Sequence, residues 1–232
     1  MLATNLGGVG GARSTEADVD PGMYYSYPTT FSPAPITFAI WLPIFLGCCV
    51  IAGYQLLPRQ VHDQRLRGFR LPYCGALLAN AATPFTPIGW SNAVVVALFI
   101  FLCWALTLLP NSKTQSSEMH RLALRMPMTA FATWAGLASI VNLCQLLVSR
   151  GIDVSPSFAA GLVVLAMATG VLAMLRTRES VIAIVMLWAG FGIALAQPMW
   201  NVVCWSVATT SLLSLVVGAQ LFLNPRRNST IA

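Results

Sequence analysis

The sequence predicts an all-α fold, a polytopic transmembrane bundle of about seven helices. Three observations predict it. Of 232 residues, 57% are hydrophobic and 9% charged, against roughly 25% charged in an ordinary soluble domain. Charges are absent from Ile36 to Pro58, Leu71 to Ser112, Met126 to Ser149, Val154 to Leu175 and Ser180 to Pro225; each run accommodates one or two crossings of about 20 residues. Dividing these runs into seven crossings also sorts the basic residues onto one side of the membrane.

Residues 1–33 are Gly-rich and polar, with Glu16, Asp18 and Asp20 against Arg13. They lack the apolar core of a signal peptide and the arginine-rich, acid-poor character of a transit peptide, and read as a flexible outer tail. Tyr24, Tyr25 and Tyr27 suit an interfacial anchor at its end. The transmembrane domain then occupies 34–225, followed by a short basic tail over 226–232.

Pro, Gly and polar breaks divide the domain into helices at Ile36–Leu57, Leu71–Phe85, Asn92–Leu109, Leu122–Val148, Phe158–Leu175, Val181–Ala196 and Met199–Leu223. Pro84 and Pro87 close the second, unless neighbouring groups satisfy the freed carbonyls and Pro84 is only a kink. The sixth and seventh are separated by "AQPMW", Ala196 to Trp200, the only turn signal in a 46-residue uncharged stretch.

With this count Arg59, Arg65, Arg67, Arg70, Lys113, Arg121, Arg125, Arg176, Arg178, Arg226 and Arg227 share one side, and only Arg13 and Arg150 lie opposite. The positive-inside rule then places the C-terminus on the cytoplasmic side and the N-terminus outside. Topology thus explains the formal charge of +6, and the basic residues form no continuous face for nucleic acid.

Absences narrow the function further. The membrane helices are expected to bury no ionisable side chain, and such groups mark relays and ion pathways. Lys113, the one lysine, falls in a loop, which excludes a retinal Schiff base. His62 and His120 also fall in loops, so a transmembrane bis-histidine haem has no ligands. Catalytic residues and metal ligands are expected to be none, and the protein is not expected to be an enzyme. The six cysteines have no CxxC spacing and read as small apolar packing residues.

What remains is aromatic and amide chemistry. In "LRMPMTAFATWAGLASIVNLCQLL", Leu124 to Leu147, Pro127, Trp134 and Gln145 are 7 and 11 residues apart, close to whole turns. They share a helix face, flanked by Ala138 and Asn142. One reading is a ligand-facing surface. The plain alternative is helix glue, in which each interhelical hydrogen bond from an amide side chain is worth about 0.6 kcal/mol and the tryptophan simply packs.

Several such segments in order resemble the tryptophan-rich sensory protein family, the TspO/MBR or peripheral benzodiazepine receptor group. "SPAPITFAIWLPIFLGCCVIAGYQ" from Ser32 follows its proline-led aromatic pattern with Pro35, Phe38, Trp41 and Phe45. "YCGALLANAATPF" from Tyr73 echoes its mid-membrane asparagine and Thr-Pro with Asn80, Thr83 and Pro84. Pro127, Trp134 and Asn142 echo its Pro, Trp and Asn, the asparagine eight residues after the tryptophan. The likeness spans about Pro33 to Leu147 and extends more weakly to longer bacterial and cyanobacterial members. The departures are a first helix without counterpart before Pro33, three extra helices after the core, no tryptophan near Thr83, and Phe45 where the family has tyrosine.

The resemblance implies a non-enzymatic binder of a flat hydrophobic ligand, a tetrapyrrole or sterol-like lipid, acting in transport or stress regulation. Carried over residue by residue, its pocket is Trp41, Phe45, Asn80, Trp134, Ala138 and Asn142, with Gln145 added from the shared helix face. Aromatic faces would stack the ring and asparagines would bond its polar edge. A porphyrin is the cofactor-like ligand it implies; none is required. "VIAGYQLLPR", Val50 to Arg59, matches a proposed cholesterol pattern that many helices meet by chance. Expected partners are membrane lipids and a hydrophobic small molecule, with a homodimer or membrane-complex partners open and nucleic acid excluded. Two other classes stay open: a structural or assembly subunit of a larger membrane complex, and a small-solute carrier.

Overall fold

A computed structural model describes residues 27, 29, 32–109 and 118–196, with 212, 216, 217 and 219. Among these residues every regular element is helical. Six main helices result: α1 (Trp41–Gln55), α2 (Gln64–Ala82), α3 (Ile88–Leu108), α4 (Met126–Ser149), α5 (Pro156–Thr177) and α6 (Val181–Ala196). The expected helix Met199–Leu223 and the tails lie outside the described residues.

Four of the helical segments are long and apolar enough to cross a membrane: Pro35–Gln55, Ile88–Leu108, Arg121–Ser149 and Pro156–Thr177. Their surfaces agree with that medium. Leu42, Phe45, Leu46, Trp90, Ile100 and Leu165 are all exposed, a pattern that water would penalise and lipid accepts. Along α1 only Ile44 and Ile51 are buried, seven residues apart and so on one stripe.

The segment containing α4 is the centre of the bundle. Of its apolar window 44% is buried, against 28% for each of the other three spans. It packs against α1, α3 and α6, while α2 lies along α3 and α5 along α6. Phe131, Met128, Leu124 and Trp134 from this segment meet Ile44 and Ile51 of α1, Phe69 and Tyr73 of α2, and Leu98 and Leu102 of α3 in one core. A second core joins Val141 and Cys144 to Val163, Met167 and Met186 of α5 and α6.

Local chemistry sets the boundaries. Pro35 opens a 3-10 turn, Pro35–Ile40, that runs into α1. Pro87 precedes α3, which therefore starts at Ile88 rather than at the expected Asn92. Ser155 caps α5 by accepting the Phe158 N–H at 3.3 Å, with Pro156 at the first helical position. Arg178, in the left-handed region at φ 63, ends α5, its N–H donating to the Met174 carbonyl at 2.8 Å.

Two sequence expectations are corrected. Helix α2 begins at Gln64, not Leu71, and carries Pro72 inside it, so Arg65, Arg67 and Arg70 are helical rather than in a loop. The reason is amphipathic: Leu66, Phe69, Tyr73 and Ala76 form a buried stripe at helical spacing, which uncharged-run reading passes over. Pro84 ends this helix instead of kinking it, in the 3-10 turn Thr83–Phe85.

The second correction concerns charge. Arg125 is buried in a π-helical turn, Arg121–Arg125, that leads into α4, and its Nε donates to Glu179 Oε1 at 2.8 Å. His120 is also buried, on the short helix Glu118–His120, with its ring edge-on to Tyr54 at 6.0 Å. The helical domain therefore does bury ionisable groups.

Candidate ligand site

The proline-led segment and α4 carry aromatic rings at turn spacing, and their packing makes one cluster. Trp41 stands edge-on to Trp134 at 6.3 Å and to Phe131 at 6.0 Å, and stacks on Phe45 at 5.3 Å. Phe38 meets Trp134 edge-on at 6.4 Å. Such edge-to-face geometry aligns positive ring edges with negative faces and is worth about 0.5–1.5 kcal/mol per pair beyond burial. Trp134 is buried, whereas Phe45 is 50% exposed and turns the cluster toward the bundle's surface.

Two spaces flank this cluster. A cavity of about 20 Å³ is lined by Thr37, Phe38, Trp134, Ala138 and residues of α5 and α6. It is the size of a single water. Thr37 Oγ1 and Trp134 Nε1, on two of its walls, are buried without a hydrogen-bond partner among the described residues. A groove of about 550 Å³ lies between α1, α4 and α6, with Ile40, Pro43, Gly47, Pro127, Ala130 and Trp188 among its walls. Small and proline residues let the backbones approach there. A Cβ on Gly47 would come within 2.8 Å of Pro127 Cβ.

Thr37 stands between the two spaces. Its side chain lines the cavity, while its carbonyl accepts a hydrogen bond from Trp188 Nε1 at 2.7 Å and so fixes the indole that walls the groove. Ala34 N–H donates to the Gly192 carbonyl at 2.8 Å, tying the 3-10 turn to α6. Any Cβ on Gly192 would overlap Thr37 Oγ1, so only glycine admits this approach.

The residues expected to form one pocket are distributed among several environments. Trp134 and Ala138 line the small cavity and Pro127 lines the groove. Trp41 and Phe45 belong to the aromatic cluster, and Asn80, half-buried near the end of α2, lines neither space. Asn142 joins helices: its Oδ1 accepts from Ser91 Oγ of α3 at 3.0 Å and its Nδ2 donates to the Ala138 carbonyl at 2.9 Å. Gln145 is fully buried, with neither end of its amide hydrogen-bonded among the described residues.

Sequence reasoning passed over Thr37, Trp188 and Gly192. Trp188 belongs to α6, outside the segments that carried the motif, and its partner lies 151 residues away. A glycine and a threonine in apolar helices give no signal until the helices are packed. The Arg125–Glu179 pair was missed because each residue flanks an uncharged run, Arg125 at the start of an expected helix and Glu179 between two, and nothing local joins them.

Comparison with known proteins extends the likeness beyond the Pro33 to Leu147 segment. The model of a family described as TSPO-like protein matches residues 20–222. No curated protein and no solved structure matches.

Proposed function

This chain belongs to the TSPO-like protein family, and on that premise we propose that it binds a flat hydrophobic ligand, a tetrapyrrole or a sterol-like lipid, in the groove between α1, α4 and α6. It is an integral membrane protein with several apolar helices. The observation that carries the reading is the groove itself. Its volume of about 550 Å³ falls in the roughly 300–1,000 Å³ range of small-molecule sites, and apolar walls with few polar groups suit such a ligand.

The chemistry follows from the walls. Trp188, held by the Thr37 carbonyl, offers a fixed indole face. Pro43, Gly47, Pro127 and Ala130 give the groove low walls where Gly47 lies against Pro127, a surface that suits a flat ring laid along it. Leu122 and Val181 also line it, and both follow closely on arginines, Arg121 and Arg178. A tetrapyrrole's carboxylates would find cations at that end. The aromatic cluster of Trp41 and Trp134 backs the site and sets helix spacing rather than touching the ring.

The protein acts in transport or stress regulation as a binder and not as an enzyme, with its C-terminus on the cytoplasmic side. The test is titration of the detergent-purified protein with protoporphyrin IX, followed by tryptophan fluorescence. Saturable quenching is expected, and Ala130→Phe, which fills the groove, should abolish it while helicity is retained. Quenching no greater than that of free tryptophan in the same micelles refutes the reading.

A further inference from the structure

Away from that groove, α2 and α3 run side by side along their length. Where α2 begins and α3 ends they part around a second groove of about 570 Å³, lined by Gln64, Arg67, Gly68, Leu71, Trp104 and Leu108. The α2 members fall at i, i+3, i+4 and i+7, one helix face. Its polar members, Gln64 and Arg67, stand toward the helix start. The apolar ones continue inward along the helices. Such an amphipathic slot matches a molecule with a polar head and a hydrocarbon tail.

Charge decides the head. Arg70 donates to the carbonyls of Gln60 and Val61 at 3.0 and 3.1 Å, and Arg125 is engaged by Glu179. Arg67 is exposed and makes no hydrogen bond or ion pair among the described residues. In the helix order, Arg59, Arg70, Arg121, Arg176 and Arg178 fall, like Arg67, near the ends of α1 and α5 or the starts of α2, α4 and α6, with Asp63 and Glu179 as the acidic residues between them whose side chains are described. The surplus is positive, and the guanidinium is free to bind a phosphodiester.

The walls decide the tail. Trp104 is 45% exposed, stacks on Phe101 at 6.4 Å, and lies one turn from the end of α3, the depth at which indoles settle at a membrane interface. Gly68 presents no side chain, and a Cβ there would only reach contact with Leu108 at 3.8 Å, so the floor is open. Leu71, 71% exposed, continues the apolar strip.

We propose that this groove is a binding site for an anionic phospholipid, with the phosphate on Arg67 and Gln64 and an acyl chain laid over Gly68, Leu71, Trp104 and Leu108. The site is separate from the ligand groove and stands or falls independently of it.

The experiment reconstitutes the full chain in phosphatidylcholine vesicles containing equal fractions of either dibrominated phosphatidylglycerol or dibrominated phosphatidylcholine, and reads tryptophan quenching. The anionic lipid should associate about fivefold more strongly, the effect of one arginine at a membrane surface. Trp104→Phe should remove the selective component. Arg67→Gln should reduce the preference to none, Arg67→Lys should keep it, and Arg59→Gln should leave it unchanged. Gly68→Leu, which fills the groove and alters no charge, should also remove it. Equal quenching by both lipids in the unaltered protein overturns the proposal, as does a preference that survives Arg67→Gln or Gly68→Leu.

Discussion

Arg125 and Glu179, 54 residues apart in the chain, meet through an Nε to Oε1 hydrogen bond of 2.8 Å with their side chains 7% and 3% exposed. The contact fastens the start of α4 to the turn between α5 and α6. Breaking a buried pair by removing its carboxylate costs about 3–5 kcal/mol. Glu179→Ala is therefore expected to lower the unfolding midpoint sharply in detergent. The double change Arg125→Met with Glu179→Leu should recover most of that loss, because hydrophobic replacements of a buried pair are often neutral. Equal midpoints for Glu179→Ala and the unaltered chain would contradict the assignment.

Gly192→Ala is expected to destabilise by about 1–3 kcal/mol, the usual range for overpacking. The added methyl overlaps Thr37 Oγ1 and would push the 3-10 turn off α6. Because Trp188 is held by the Thr37 carbonyl, its emission should shift to the red in the same variant. Gly161→Ala, where a Cβ meets nothing within 4 Å, is the matched control and should do neither.

Asn142→Leu separates the two readings of the amides. If Asn142 serves as helix glue through Ser91, the change costs about 0.6 kcal/mol, the mean for such bonds in membranes, and porphyrin quenching is unaffected. A loss of quenching at unchanged stability would instead place Asn142 against the ligand.

Trp188→Phe should weaken porphyrin binding several-fold and remove the most quenchable indole, since Trp188 is the groove's one tryptophan wall among the described residues. Trp41→Phe, one layer behind, is expected to alter stability more than affinity. Fluorescence titration of both variants checks this ordering.

Orientation is checked by alkylation of cysteines placed on a background with the native ones replaced by alanine. Asp153→Cys should react with an impermeant maleimide on intact cells, and Arg59→Cys only after permeabilisation. The reverse pattern would invert the topology.

The sequence by itself determined the membrane, the helical class and most helix positions, because lipid demands long uncharged runs and satisfied backbones, both visible one residue at a time. Val181–Ala196 was placed at its observed bounds, and the Pro, Trp and Asn of α4 identified the family. Tertiary structure alone decided which of these residues share a space. Trp134 and Gln145, from the shared face, and Asn142 beside it are all buried, yet Asn142 meets Ser91 on α3 while Trp134 meets Trp41 and a cavity shared with α5 and α6. A helix face is set by a period of 3.6, which the sequence contains. The neighbour that covers each turn of that face depends on helix contacts across 50 to 150 residues, as for Ser91–Asn142, Arg125–Glu179 and Thr37–Trp188, and no local pattern encodes them.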